Sequence, residues 1–64
     1  MKSNAQKVND AIKRAEETAC DLILAAEAFA RVSTNDWDVR CNRIALLGAA
    51  RRYTNAVRRL ARLT

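Results

Sequence analysis

The feature that most constrains this 64-residue chain is the near-absence of residues that interrupt a helix. It contains no proline and a single glycine, Gly48, while alanine, arginine and leucine, all strong helix formers, are abundant. The one cluster of turn and capping residues is Ser-Thr-Asn-Asp at 33–36. The sequence therefore predicts one all-α domain over residues 1–64, with helices over about 3–32 and 35–63 and a turn at about 33–35.

Apolar residues recur at alternating spacings of three and four in both segments, as in helices that pack along one stripe. A capping box, Ser3 to Gln6, precedes the first stripe, and Thr34 or Asn35 can cap the second helix. The first stripe consists of Ala5, Val8, Ile12, Ala15, Ala19, Leu22, Ala26 and Phe29. The second consists of Val39, Leu46, Ala49, Tyr53, Ala56, Leu60 and Leu63, widened by Ala50 and Val57. So short a turn predicts an antiparallel two-helix hairpin, with residue i opposite about 68 − i.

The size of the chain argues for self-association. A chain of this length buries only about 60% of its unfolded surface. With two cysteines and no histidine, no disulfide framework or zinc site supplements its core. Small scaffolds of this kind depend on very regular helix packing or on oligomerisation. We therefore expect a homodimer in which two hairpins form a four-helix bundle.

The net charge of +5 is carried by the end of the chain. Residues 1–50 hold seven basic and seven acidic side chains, whereas residues 51–64 hold five arginines and no acid. The predicted partner-binding face is the arginine stripe with its flanks: Arg40, Arg51, Arg52, Arg58, Arg59 and Arg62. Arginine forks bind phosphate and carboxylate alike, so this face predicts an acidic partner.

Several interpretations of the arginines stay open. Our first expectation is an acidic surface of a partner protein, and the alternative is RNA or DNA. The segment resembles the arginine-rich helices of RNA-binding peptides in composition, although few aromatic residues accompany it for base stacking. Internal neutralisation is a third possibility, because the predicted register places Glu17 near Arg51, Glu16 near Arg52 and Asp10 near Arg58. Membrane-surface binding ranks lowest. It would need the hairpin to open so that Tyr53, Val57, Leu60 and Leu63 face lipid.

Two apolar rows face away from the predicted stripes near the turn. The predicted interface residues in these rows are Cys20, Leu24, Trp37, Cys41 and Ile44. Ala28 and Gly48 extend the rows. Apolar patches mark interaction sites, so the rows predict either a dimer interface or a docking surface for a different protein. The cysteines, about 10 Å apart along the axis, are too distant for a disulfide and are expected to be small buried apolar residues.

No catalytic arrangement is present in the sequence. It has no histidine, no glycine-rich phosphate loop and no serine or cysteine beside a base. Glu16 and Glu17 are adjacent, so they point about 100° apart and cannot flank a substrate. We expect a non-enzymatic protein without cofactor, metal or small-molecule substrate. With no secretion signal and no apolar run near the length of about 20 residues that spans a membrane, we expect it in the cytoplasm.

In length, single central turn and alanine-rich stripes, the chain resembles the small helical-hairpin regulators of plasmids and phages. This class includes the plasmid regulator Rop, a hairpin that dimerises into a four-helix bundle and binds paired RNA loops. The resemblance implies a phage- or plasmid-type inhibitor, adaptor or regulator. It transfers no site residue, because no residue motif matches and this chain is basic where Rop is acidic.

Overall fold

The computed structural model describes residues 3–31 and 36–64. It contains helix α1, Asn4–Ala30, and helix α2, Asp36–Leu63, packed against each other. Their direction is antiparallel, because Lys7 and Asp10 lie beside Arg59 while Arg14, later in the chain, lies beside Arg52. The predicted all-α hairpin is confirmed. The predicted turn at 33–35, with its capping residues, lies outside the described residues.

Local hydrogen bonds explain where the helices end. The Ser3 hydroxyl oxygen accepts from the Gln6 amide at 3.2 Å, which confirms the serine half of the predicted capping box. At the other end of α1 the Arg31 amide donates to both Glu27 and Ala28 carbonyls, tightening the last turn. Helix α2 ends at Leu63, with the Thr64 hydroxyl donating to the Leu60 carbonyl. Neither helix, within the described residues, is long and apolar enough to cross a membrane.

The contact stripe of α2 is the predicted one. Its buried and half-buried residues are Val39, Asn42, Leu46, Ala49, Tyr53, Ala56, Leu60 and Leu63. They keep alternating spacings of three and four along the whole helix, and the only addition to the prediction is Asn42. Ala50 is half-buried and Val57 is exposed, so the predicted widening residues lie beside the contact line.

The contact stripe of α1 differs from the prediction at alternate positions. Its buried and half-buried residues are Val8, Ala11, Ala15, Thr18, Ala19, Leu22, Ala25 and Phe29. Ala5, Ile12 and Ala26, which were predicted to lie in it, are exposed. Side-chain size explains one of these differences, because the small Ala11 is buried where Ile12 was predicted. The buried residues described are all small, namely Ala11, Thr18, Ala49 and Ala56. Small residues on the contact line let two helices approach closely.

Two polar residues occupy contact positions because their own helix satisfies them. Thr18 is only 1% exposed. Its hydroxyl donates to the carbonyls of Arg14 at 2.9 Å and Ala15 at 3.0 Å. The Asn42 side-chain amide donates to the Asp38 carbonyl at 2.8 Å. Such bonds to the preceding turn remove the cost of burying a polar group, so these side chains pack like apolar ones.

The hairpin is a rod rather than a compact body. It measures 50 × 16 × 14 Å, and its radius of gyration is 15.0 Å, against about 11 Å for a compact chain of this length. Its accessible surface is 5233 Å², whereas a folded monomer of 7.2 kDa is expected to expose about 4,100 Å². A single hairpin therefore leaves far more surface in water than a monomer of its mass normally does.

Candidate binding surfaces

One broad side of the hairpin is a charged groove. Ala11 and Ala56 line it together with charged residues of both helices, and its volume is about 260 Å³. Its charged residues, with those of an adjoining concavity, are Lys7, Asp10 and Arg14 of α1 and Arg52 and Arg59 of α2. We call this side the polar face. It brings together four cations that are up to 52 positions apart in the sequence.

One carboxylate of α1 is paired beside this groove. Arg14 Nη1 lies 3.8 Å from Glu17 Oε2, and both side chains are exposed. An exposed pair of this spacing on one helix stabilises by no more than about 0.5 kcal/mol. It leaves the polar face basic toward the free ends of the two helices.

The opposite broad side is apolar. Each helix has residues that flank its contact stripe on the side away from the polar face. We call these the apolar face: Ile12, Ala19 and Ile23 of α1, and Leu47, Ala50 and Val57 of α2. All four large side chains among them are exposed, Ile23 by 57%. The charged residues on this side are Glu16, Arg40 and Arg43, with Glu16 and Arg40 at its margins.

A third surface runs along α2 on the side away from α1. It keeps alternating spacings of four and three along the helix, so its members stay in line. We call this the outer row: Trp37, Cys41, Ile44, Gly48, Arg51, Asn55, Arg58 and Arg62. The half nearest the turn is apolar and exposed, Trp37 by 68% and Ile44 by 66%. The half nearest the carboxyl end carries three arginines.

The structure divides the predicted basic face among three surfaces. All six arginines are exposed. Arg51, Arg58 and Arg62 belong to the outer row, whereas Arg52 and Arg59 turn onto the polar face, where Lys7 and Arg14 join them. The predicted register of about 68 − i places Lys7 and Arg14 beside the carboxyl-terminal half of α2. The spacing of residues within α1 alone does not indicate this. Arg40 lies about 16 Å from Arg51 along the helix, at the edge of the apolar face.

Internal neutralisation does not account for the arginines. Within residues 3–31 and 36–64, Arg51, Arg52, Arg58, Arg59 and Arg62 make no ion pair. Glu17 pairs with Arg14 on its own helix and not with Arg51. The five guanidinium groups near the carboxyl end of α2 are therefore not neutralised by ion pairs within the described residues.

The predicted apolar rows lie on opposite outer sides of the hairpin. Cys20 and Leu24 face outward from α1, while the other three residues face outward from α2. The two rows therefore form no common patch on one chain. Both cysteines are free and exposed. The expectation that they are buried is wrong for the single hairpin, because their rows point away from the contact stripes.

Packing within the hairpin does not explain why residue 48 is a glycine. A Cβ built on it would meet only Arg52 Nη1 of its own helix, at 3.5 Å, which is an ordinary contact. No atom of α1 lies near that Cβ position, so packing between the two helices does not require a glycine here. A mid-helix glycine costs about 1 kcal/mol relative to alanine.

Comparison with protein-family models, curated proteins and solved structures finds no match for this chain. In the part of the chain that is described, no three of the cysteine, aspartate and glutamate side chains come together as possible metal ligands.

Proposed function

We propose that this chain is a non-enzymatic binding protein whose outer row docks on an acidic surface of a partner protein, as an inhibitor or adaptor does. The observation that carries the proposal is the composition of that row. One straight line of exposed side chains joins an apolar half, with Trp37 and Ile44, to a basic half whose three arginines make no ion pair within the described residues.

This combination suits a protein partner. Tryptophan and arginine are the residues that most often dominate binding energy at protein interfaces. From Trp37 to Arg62 the row spans about 38 Å of helix, enough for an interface of ordinary size. Gly48, at the junction of the two halves, leaves the helix backbone open to a partner surface. Its propensity cost of about 1 kcal/mol is then offset in the complex.

We further propose that the active form is a homodimer, a four-helix bundle of two hairpins, acting in the cytoplasm. The large exposed surface and the four small buried residues of the single hairpin support this assembly. A dimer would present two outer rows to its partners. The resemblance to the hairpin regulators of phages and plasmids supports the same assembly.

Nucleic acid is the second candidate, and the polar face favours it. Lys7, Arg14, Arg52 and Arg59 extend the basic surface from the outer row round the free ends of both helices. Such a surface can follow phosphates. Contacts with about five phosphates would weaken with salt along a log–log slope of roughly −4 to −5. A protein partner that also contacts Trp37 and Ile44 would depend less on salt.

The test is an affinity capture from nuclease-treated lysate, repeated across salt concentration, with matched variants. We expect one stoichiometric protein that survives about 0.5 M salt, where charge interactions between exposed groups are strongly screened. Both Trp37→Ala and the triple variant Arg51→Gln, Arg58→Gln, Arg62→Gln should lose it. Lys13→Gln, an exposed cation on the outer side of α1, should keep it. Loss of all binding after nuclease treatment would reject the protein partner in favour of nucleic acid.

A further inference from the structure

We infer that the apolar face is the surface on which a second copy of this chain packs, with the two hairpins oriented so that their turns lie at opposite ends. The inference rests on the proposed homodimer and assigns its interface. That interface lies on the broad side of the hairpin and leaves the outer row free for a different partner.

The first support is a mismatch between the apolar stripe of the sequence and the stripe that the hairpin buries. In α1 the apolar positions left outside the contact are Ile12 and Ala26, and in α2 they are Ala50 and Val57. All four lie on the same broad side of the molecule. A helix in a four-helix bundle touches two neighbours, so its apolar stripe is wide and centred between them. The partner helix within the hairpin leaves part of each apolar stripe uncovered.

The second support is the distribution of charge. A copy packed on the polar face would have to bury the four cations around its groove, and buried charges without good partners are strongly unfavourable. The apolar face has isoleucine, leucine and valine with alanine between them; Glu16 and Arg40 lie at its margins, and Arg43 is the charged residue within it. A second copy would therefore remove fewer charges from water on the apolar face than on the polar face.

The third support is area. A side of a rod measuring 50 by 16 Å presents about 800 Å², which is the contribution of each partner to an interface of ordinary size. The hairpin exposes about 1,100 Å² more than expected for a monomer of its mass. A second copy on this side would remove most of that excess.

The orientation follows from symmetry. A twofold interface must complement itself, so its large and small residues have to be balanced about the axis. Ile12 and Ile23 lie at similar distances on either side of the middle of α1, with Ala19 between them. On α2, Leu47 and Val57 lie on either side of Ala50, close to the middle of that helix. With the turns at opposite ends, Ile12 meets Ile23 of the second copy and Ala50 meets Ala50 of the second copy.

A matched pair of charge substitutions tests the interface. Ile23 on the apolar face and Ile44 on the outer row are similarly exposed in the hairpin, 57% and 66%. Ile23→Asp should raise the dimer dissociation constant by at least about 100-fold, because it would bury an unpaired carboxylate. Ile44→Asp should leave it unchanged. Sedimentation equilibrium measures both. A monomeric wild type, or a dimer lost in Ile44→Asp and kept in Ile23→Asp, overturns the inference.

A disulfide cross-link tests the orientation without destabilising the fold. In a Cys20→Ser, Cys41→Ser background, Ala50→Cys should form a covalent dimer on mild oxidation. Ala45→Cys, an exposed alanine on the polar side of the same helix, should not. Cross-linking of Ala45→Cys alone would overturn the assignment. The cross-linking result does not depend on whether the proposed partner protein binds. Partner binding through the outer row is tested separately, with the Trp37→Ala variant and the triple arginine variant.

Discussion

The two broad faces of the hairpin are built from the same pair of helices and flank the same contact stripes, yet they differ sharply in charge. The polar face carries Lys7, Asp10, Arg14, Arg52 and Arg59 around its groove. The apolar face carries isoleucine, leucine, valine and alanine at the equivalent flanking positions. The comparison teaches that the hairpin is amphipathic as a unit. The most deeply buried residues between the helices are small, and of the two broad faces only the apolar face carries large apolar side chains.

The largest effect is expected from placing charge on the apolar face. Leu47→Glu should destabilise the proposed dimer by about 3 kcal/mol, because a carboxylate replaces a leucine in the interface and Arg43 and Arg51, one turn away on either side, compensate its burial only in part. The melting temperature should fall and should lose its dependence on protein concentration. Circular dichroism melts at two or more concentrations measure this.

The control for this variant is Leu24→Glu. Leu24 is exposed on the outer side of α1, so its replacement should change stability by no more than about 0.5 kcal/mol. Equal losses of stability in Leu47→Glu and Leu24→Glu would show that the apolar face is no more buried than the outer side of α1.

A smaller effect is expected at the contact line that separates the two faces. Ala56→Leu inserts a large side chain at a buried position between the helices and should destabilise by about 1–3 kcal/mol. Ala45→Leu, on an exposed position of the same helix, should have almost no effect. Chemical denaturation measures the free energy of unfolding of both variants. An Ala56→Leu protein as stable as wild type would contradict the close approach of α1 and α2.

The smallest effect is expected at Gly48, which belongs to neither broad face. Gly48→Ala should stabilise the free protein by about 0.5–1 kcal/mol, since alanine has the higher helix propensity and the added Cβ has room. The same variant should weaken capture of the partner through the outer row. A loss of stability in denaturant melts would show that another chain already approaches this glycine in the free protein.

The sequence predicted α2 better than α1, for a physical reason. Periodicity reports every apolar position, but the residues that become buried depend on which neighbour covers them. In α2 the contact line contains every residue of the predicted stripe, and only the widening residues Ala50 and Val57 lie beside it. In α1 the predicted stripe and the contact line diverge at Ile12 and Ala26, where part of the stripe lies on the apolar face. Thr18 and Asn42 were missed because they are polar, although the three–four spacing runs through both positions.

The candidate binding surfaces were predictable where they follow one helix and not where two helices build them. Arg51, Arg58 and Arg62 share a line because of helical spacing alone. Lys7 and Arg14 join Arg52 and Arg59 only through antiparallel packing, which a local pattern cannot show.

The mass of the protein in solution tests most directly whether one broad face of the hairpin packs against a second copy. Sedimentation velocity at micromolar concentration should give a single species of twice the 7.2 kDa chain mass. In the same experiment Ile23→Asp should sediment as a monomer while Ile44→Asp should not. A wild-type protein that is monomeric and melts cooperatively at this concentration would contradict the account.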